Sequence, residues 1–105
     1  MAEGKAARIF SIVELLVSHA LDGMSNADLA DKLGTSRSNV SRDLATLIDA
    51  GWAEQLPTGR FVVTPRLVGL LKAYTLALSA AQERIDSFQA RSDALARQFL
   101  PRNNF

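Results

Sequence analysis

The feature that most constrains the fold is a heptad repeat in the last third of the chain. From Pro65 to Leu100, mostly apolar residues recur at alternating spacings of four and three, the a/d pattern of a coiled-coil helix. These positions are Leu67, Leu71, Tyr74, Leu78, Ala81, Ile85, Phe88, Ser92, Leu95 and Phe99. Such a helix spans roughly 50 Å. The remainder of a 105-residue chain is too small to cover it, so this apolar seam needs a partner.

The sequence leaves the arrangement of that partner open. Two copies of the helix can pair in parallel or antiparallel, or the seam can contact the first helix of the chain. The g and e positions that flank the seam carry few opposite charges: Arg84 and Arg91 have glutamines or alanine nearby, so charge does not indicate an orientation. We expect a homodimer joined as a coiled coil. The expected dimer contacts are Leu71, Tyr74, Leu78, Ile85, Phe88, Leu95 and Phe99.

Three further helices are predicted before the seam. From about Ala6 to Ala20 only a narrow polar strip interrupts the apolar residues, so we expect this helix to be covered on more than one side. Ser25 begins a short second helix, Asn26 to Leu33, and Gly34 ends it. Thr35 and Ser36 can cap a third helix, which runs to about Ala50.

The third helix has two unlike faces. Its predicted buried stripe is Val40, Leu44, Leu47 and Ile48, at spacings typical of one helix face. The stretch SRSNVSR lies at its N-terminal end. There Arg37, Ser38, Ser41 and Arg42 are predicted to point away from the core.

A small β-hairpin is predicted between the third helix and the seam. Two short strands, Ala53–Leu56 and Arg60–Thr64, flank Pro-Thr-Gly, which suits a tight turn. Thr64 and Pro65 then start the long helix. The prediction is a mainly α chain: a winged helix-turn-helix of three helices plus a β-hairpin wing (6–66), a long C-terminal dimerisation helix (67–100) and a frayed tail (101–105).

This element order resembles the N-terminal DNA-binding domain of the IclR family of bacterial transcription regulators. The resemblance covers about residues 6–70: LADKLGTSRSNVSRDLATLIDAGW is similar to the family's helix-turn-helix, and AEQLPTGRFVVTPRL to its wing. Family members usually continue into a large effector-binding domain. We expect a stand-alone DNA-binding domain here, without a small-molecule effector.

The resemblance implies that the third helix enters a major groove of double-stranded DNA. Arg37 and Arg42 each carry a planar fork that can reach guanine O6 and N7. Short polar groups suit phosphate oxygens, and Arg60 and Arg66 would reach DNA from the wing and the start of the long helix. The expected DNA contacts are Thr35, Ser36, Arg37, Ser38, Asn39, Ser41, Arg42, Arg60 and Arg66.

Residues for catalysis or metal binding are sparse. The chain has no cysteine and one histidine, His19, whose place at the end of the first helix favours an interaction with the helix dipole. The acids have no histidine or cysteine companions, so we expect no metal, no cofactor and no enzymatic activity. No apolar run is long enough for a membrane span, and the N-terminus lacks a signal-peptide pattern.

The preferred interpretation is a homodimeric repressor that occupies a palindromic operator, in the cytoplasm and, by family resemblance, bacterial or phage-encoded. The net charge of only +1 keeps a second hypothesis open, in which the winged domain is a protein-interaction or assembly module. A third hypothesis is a ligand-responsive regulator like those of the MarR family, with a pocket between the long helix and the first helix.

Overall fold

The computed structural model describes residues 4–101 and contains four helices and one β-hairpin in this range. Their order matches the predicted winged helix, and their ends lie within two residues of the predicted bounds. The elements are α1 (Lys5–Ser18), α2 (Asn26–Leu33), α3 (Arg37–Asp49), β1 (Ala53–Gln55), β2 (Phe61–Val63) and α4 (Pro65–Gln98). The predicted tail follows α4, and its residues 102–105 lie outside the described range.

Local capping explains where three of the helices begin. The Ser25 hydroxyl accepts a hydrogen bond from the Asp28 N–H at 3.0 Å, and the Ser36 hydroxyl accepts one from the Asn39 N–H at 3.1 Å. Thr64 does the same for α4. Each hydroxyl satisfies an N–H that has no partner within its helix. The predicted caps at these three positions are confirmed.

The wing is more than a two-stranded hairpin. Strands β1 and β2 pair antiparallel, with Ala53 opposite Val63. On the other edge of β2, Met24 and Phe61 exchange backbone hydrogen bonds of 3.0 and 2.8 Å. The loop between α1 and α2 therefore joins the wing to the helices, a contact that the sequence pattern does not indicate.

The core lies where α1, α2 and α3 meet under the wing. Its buried apolar residues include Ile12, Leu16, Met24, Leu29, Ala30, Val40, Leu44, Leu47 and Ala53. One expectation is wrong: Ile48 is 41% exposed, because the buried side of α3 is centred on Val40, Leu44 and Leu47. Helix α1 contacts α2, α3 and β2 through its buried side, and Phe10 on its other side is 65% exposed.

A buried ion pair connects α1 to α3. Asp43 is fully buried, and its carboxylate accepts hydrogen bonds from Arg8 Nε at 2.7 Å and from the terminal Nη2 at 3.2 Å. The hydrogen bond to Asp43 raises the pKa of Arg8 above its usual value, against the opposing effect of burial. Two side chains 35 positions apart thus fix α3 against α1.

The chain divides into two compact units after Leu70. The first contains the winged helix and the second contains the rest of α4. In the second unit the predicted seam residues are exposed: Leu78 is 55%, Ile85 52% and Phe88 59% accessible. Among the described helices, none combines the length and the apolarity that crossing a membrane requires.

Candidate nucleic-acid interface

The exposed side of α3 forms an open depression near the start of the helix. Its volume is about 490 Å³, and it is lined by Arg37, Ser38, Ser41 and Arg42 of α3 together with Asn26 of α2. The structure therefore brings together four of the predicted contact residues on one surface. The depression combines two cations, two hydroxyls and an amide.

The helix period explains why no acid of α3 neutralises the positive charge of this surface. Val40, Leu44 and Leu47 point into the core and hold the other side of α3 outward. The acid in the first half of α3 is Asp43, which is buried and paired with Arg8. The exposed side of this half therefore presents Arg37 and Arg42 without a neighbouring carboxylate from α3.

Asn39 connects the start of α3 to one of these cations. Its amide nitrogen donates to Thr35 Oγ1 at 2.9 Å, and its amide oxygen accepts from an Arg42 terminal nitrogen at 2.6 Å. Ser36 caps the helix through its hydroxyl. The side chains of Thr35, Ser36 and Asn39 are thus engaged within the helix start, and Asn39 orients the guanidinium of Arg42.

Asn26 is a member of the site that the sequence prediction missed. It is the first residue of α2, and its amide nitrogen donates to Ser41 Oγ at 2.6 Å and to the Arg37 carbonyl oxygen at 3.2 Å. Asn26 therefore connects α2 to the exposed side of α3. The partners are 11 and 15 positions away, so no local spacing could reveal them.

Arg60 does not extend from the wing tip as predicted. Its guanidinium turns back to the loop between α1 and α2, donating to the carbonyl oxygens of Asp22 at 3.1 Å and Gly23 at 3.0 Å. It also lies 3.7 Å from a carboxylate oxygen of Asp28. In this structure Arg60 anchors the wing to the helices.

Arg66, the second residue of α4, is exposed. Its side chain lies over Gly51, where an added Cβ would be 3.1 Å from Arg66 Cδ. The guanidinium therefore belongs to the surface that joins the end of α3 to the start of α4, and not to the depression at the start of α3.

Three helices followed by a hairpin, with cations and hydroxyls on the exposed side of the third helix, define a winged helix-turn-helix domain of the DNA-binding type. Comparison with protein families identifies the type of helix-turn-helix domain. Residues 6–57 match the model of the IclR helix-turn-helix domain, and this part of the chain belongs to that family. The protein is accordingly a DNA-binding transcription regulator.

Comparisons with whole proteins add little to this assignment. No curated protein matches the chain. Among solved structures, the chain is similar to a point mutant of Lactococcus lactis ZitR, with 18% sequence identity and a TM-score of 0.45. The similarity covers 89% of this chain and 73% of that one. A likeness at this level bears on neither the site nor the function.

Proposed function

We propose that the protein is a homodimeric repressor that binds double-stranded DNA sequence-specifically and acts by occupying its operator. The observation that carries the proposal is the depression at the start of α3, where Arg37, Ser38, Ser41 and Arg42 share one exposed surface. A helix that presents such groups near its N-terminus suits insertion into a major groove. A bacterial or phage regulator of this kind works in the cytoplasm.

Within the groove, base contacts and phosphate contacts have different donors. Arg42, pre-oriented by Asn39, offers its fork to the O6 and N7 atoms of a guanine, and Arg37 offers a second fork. Ser38 and Ser41 lie between them. Thr35, Ser36 and Asn39 hold the first turn of α3 so that its N-terminus faces a phosphate, and Arg66 contacts the backbone.

We place the dimer contacts in the second compact unit. The seam of α4 leaves large apolar side chains in solvent, among them Tyr74 (70% exposed), Leu78 (55%) and Leu95 (53%). Because they recur with the a/d spacing, a second copy of the same helix can bury them along a common stripe. A two-fold dimer then matches a palindromic operator, with half-sites separated by one helical turn or a multiple of about 34 Å.

Selection of bound fragments from random double-stranded DNA tests the proposal. We expect the full chain to enrich a palindromic sequence and to shift it in a gel. The observed affinity should fall with salt at a log–log slope near −0.9 per neutralised phosphate. Absence of any enriched sequence or salt-dependent shift would contradict the proposal and favour a protein-interaction module.

A further inference from the structure

We infer that Asn26 is a positioning residue that commits the hydroxyl of Ser41 to donate a hydrogen bond to an acceptor on DNA. The inference rests on the proposed function, which places the exposed side of α3 against the duplex. It assigns a role in DNA recognition to α2, through a residue outside the helix that enters the groove.

The contacts of the Asn26 amide allow only one orientation. Its nitrogen lies 3.2 Å from the carbonyl oxygen of Arg37, which can only accept a hydrogen bond. The nitrogen and not the oxygen must therefore face α3. One N–H serves Arg37 and the other serves Ser41 Oγ at 2.6 Å, so the Ser41 oxygen acts as an acceptor towards Asn26.

The proton of the Ser41 hydroxyl has no acceptor within α3. Hydroxyls in helices often donate to the carbonyl four residues earlier. Ser18 and Thr46 do so here, donating to Glu14 at 2.9 Å and to Arg42 at 3.2 Å. For Ser41 that carbonyl belongs to Arg37, which accepts from Asn26 and, within residues 4–101, receives no hydrogen bond from the Ser41 hydroxyl. The Ser41 oxygen accepts from Asn26, and its proton is not used within α3, so the hydroxyl can donate outward.

The surroundings of the Ser41 proton favour an electronegative acceptor. Ser41 borders the depression that also contains Arg37 and Arg42, where positive charge attracts electronegative acceptors. The amide oxygen of Asn26 is buried and has no hydrogen-bond partner among residues 4–101. A buried unsatisfied acceptor lowers stability. The amide oxygen of Asn26 thus lowers stability while its nitrogen organises the exposed side of α3. This pattern indicates a role at that surface and not in folding.

The acceptor on DNA can be a base edge or a phosphate oxygen, and modified duplexes distinguish the two. The experiment uses the sequence selected by the full wild-type chain, carrying either one 7-deazapurine or one methylphosphonate at each position in turn. The variants are Asn26→Ala, Ser41→Ala and the double variant. Thr46→Val is the matched control, because its hydroxyl donates within its own helix.

We expect Ser41→Ala and Asn26→Ala each to weaken binding roughly tenfold, the usual effect of one hydrogen bond. The double variant should bind no worse than either single variant. The wild type should lose affinity at one modified position to which both variants are insensitive. A sensitive 7-deazapurine would assign a base edge, and a sensitive methylphosphonate would assign a phosphate. Thr46→Val should bind like the wild type.

Additive losses in the double variant, or a Ser41→Ala protein that binds like the wild type, would overturn the inference. A purely structural role for Asn26 predicts instead a lower melting temperature and weaker binding with unchanged position sensitivity. Thermal melting of all four variants therefore accompanies the binding measurements. If the wild type selects no DNA sequence at all, the proposed function fails first and the inference fails with it.

Discussion

Arg42 shows how a single side chain in the site is prepared for its proposed role. Its guanidinium is held by the Asn39 amide oxygen at 2.6 Å, so less freedom is lost when its other nitrogens meet a base. We expect Arg42→Ala to weaken operator binding by about 1–3 kcal/mol and to relax the base preference at one position of each half-site. Fluorescence anisotropy with single-base operator variants measures both effects.

The matched control for this prediction is Arg97→Ala. Arg97 is an exposed residue in the last turn of α4, and its removal changes the net charge by the same amount. A general loss of positive charge would weaken binding equally in both variants. Equal losses, or an unchanged base preference in Arg42→Ala, would show that this part of α3 does not read the sequence.

For Arg60 we predict an effect on stability, because its guanidinium binds the loop between α1 and α2. Arg60→Ala removes hydrogen bonds to the Asp22 and Gly23 carbonyl oxygens, so the wing loses an attachment to the helices. The side chain is 39% exposed, so we expect a modest loss of about 1 kcal/mol. For a unit of this size, that lowers the melting temperature by roughly 4–8 °C.

A second Arg60 variant separates anchoring from DNA contact. Arg60→Lys keeps the charge but cannot place two nitrogens on two carbonyl oxygens in the same way. If anchoring is the main role, it should melt close to Arg60→Ala. Wild-type melting of Arg60→Ala combined with weaker DNA binding would instead restore the original prediction of a direct DNA contact.

Residue roles could be predicted from sequence only where the partner is nearby. The caps Ser25, Ser36 and Thr64 act on an N–H three positions away, and their residue types identify them. The sequence places Arg60 at the hairpin, but its acceptors are 37 and 38 positions distant. Such contacts depend on how the loop and the wing meet in three dimensions.

The placement of α3 depends on its ion pair with α1. Arg8→Met leaves the fully buried Asp43 carboxylate without its partner, which we expect to lower the free energy of unfolding by about 3 kcal/mol. The double variant Arg8→Met/Asp43→Leu should recover most of this loss because no buried charge remains. Urea unfolding of the wild type, both single variants and the double variant measures the coupling. Additive effects would contradict a specific pair.

Gly23, where the loop between α1 and α2 meets the wing, allows a second test. Gly23 and Gly34 have similar positive φ angles, +73° and +64°. A Cβ on Gly23 would collide with the Phe61 carbonyl oxygen and lie 2.9 Å from Val62 Cγ1, whereas nothing lies within 4 Å of one on Gly34. We expect Gly34→Ala to cost about 1 kcal/mol from backbone strain alone. Gly23→Ala should cost clearly more, as thermal unfolding would show. Equal losses would mean that the close approach is unimportant.

The elements themselves were readily predicted, and their contacts were less so. Apolar periodicity placed α3, but the buried side also contains Asp43, which is three positions from Val40 and four from Leu47. An acid at that spacing indicates a buried partner, although not that Arg8 supplies it. The residue types around Met24 do not indicate its pairing with β2, because that pairing is made by backbone groups.

The proposed dimer depends on the seam of α4. Phe88 is 59% exposed, and a second copy of the helix would bury it. Phe88→Asp places a charge in that contact. We expect light scattering of this variant to show a monomer of 11.4 kDa. Ala90→Asp introduces the same charge two residues away on the opposite face and should leave the dimer intact. Operator binding should weaken only in Phe88→Asp, because a monomer engages one half-site at a time. Identical masses for the two variants would contradict pairing through this seam.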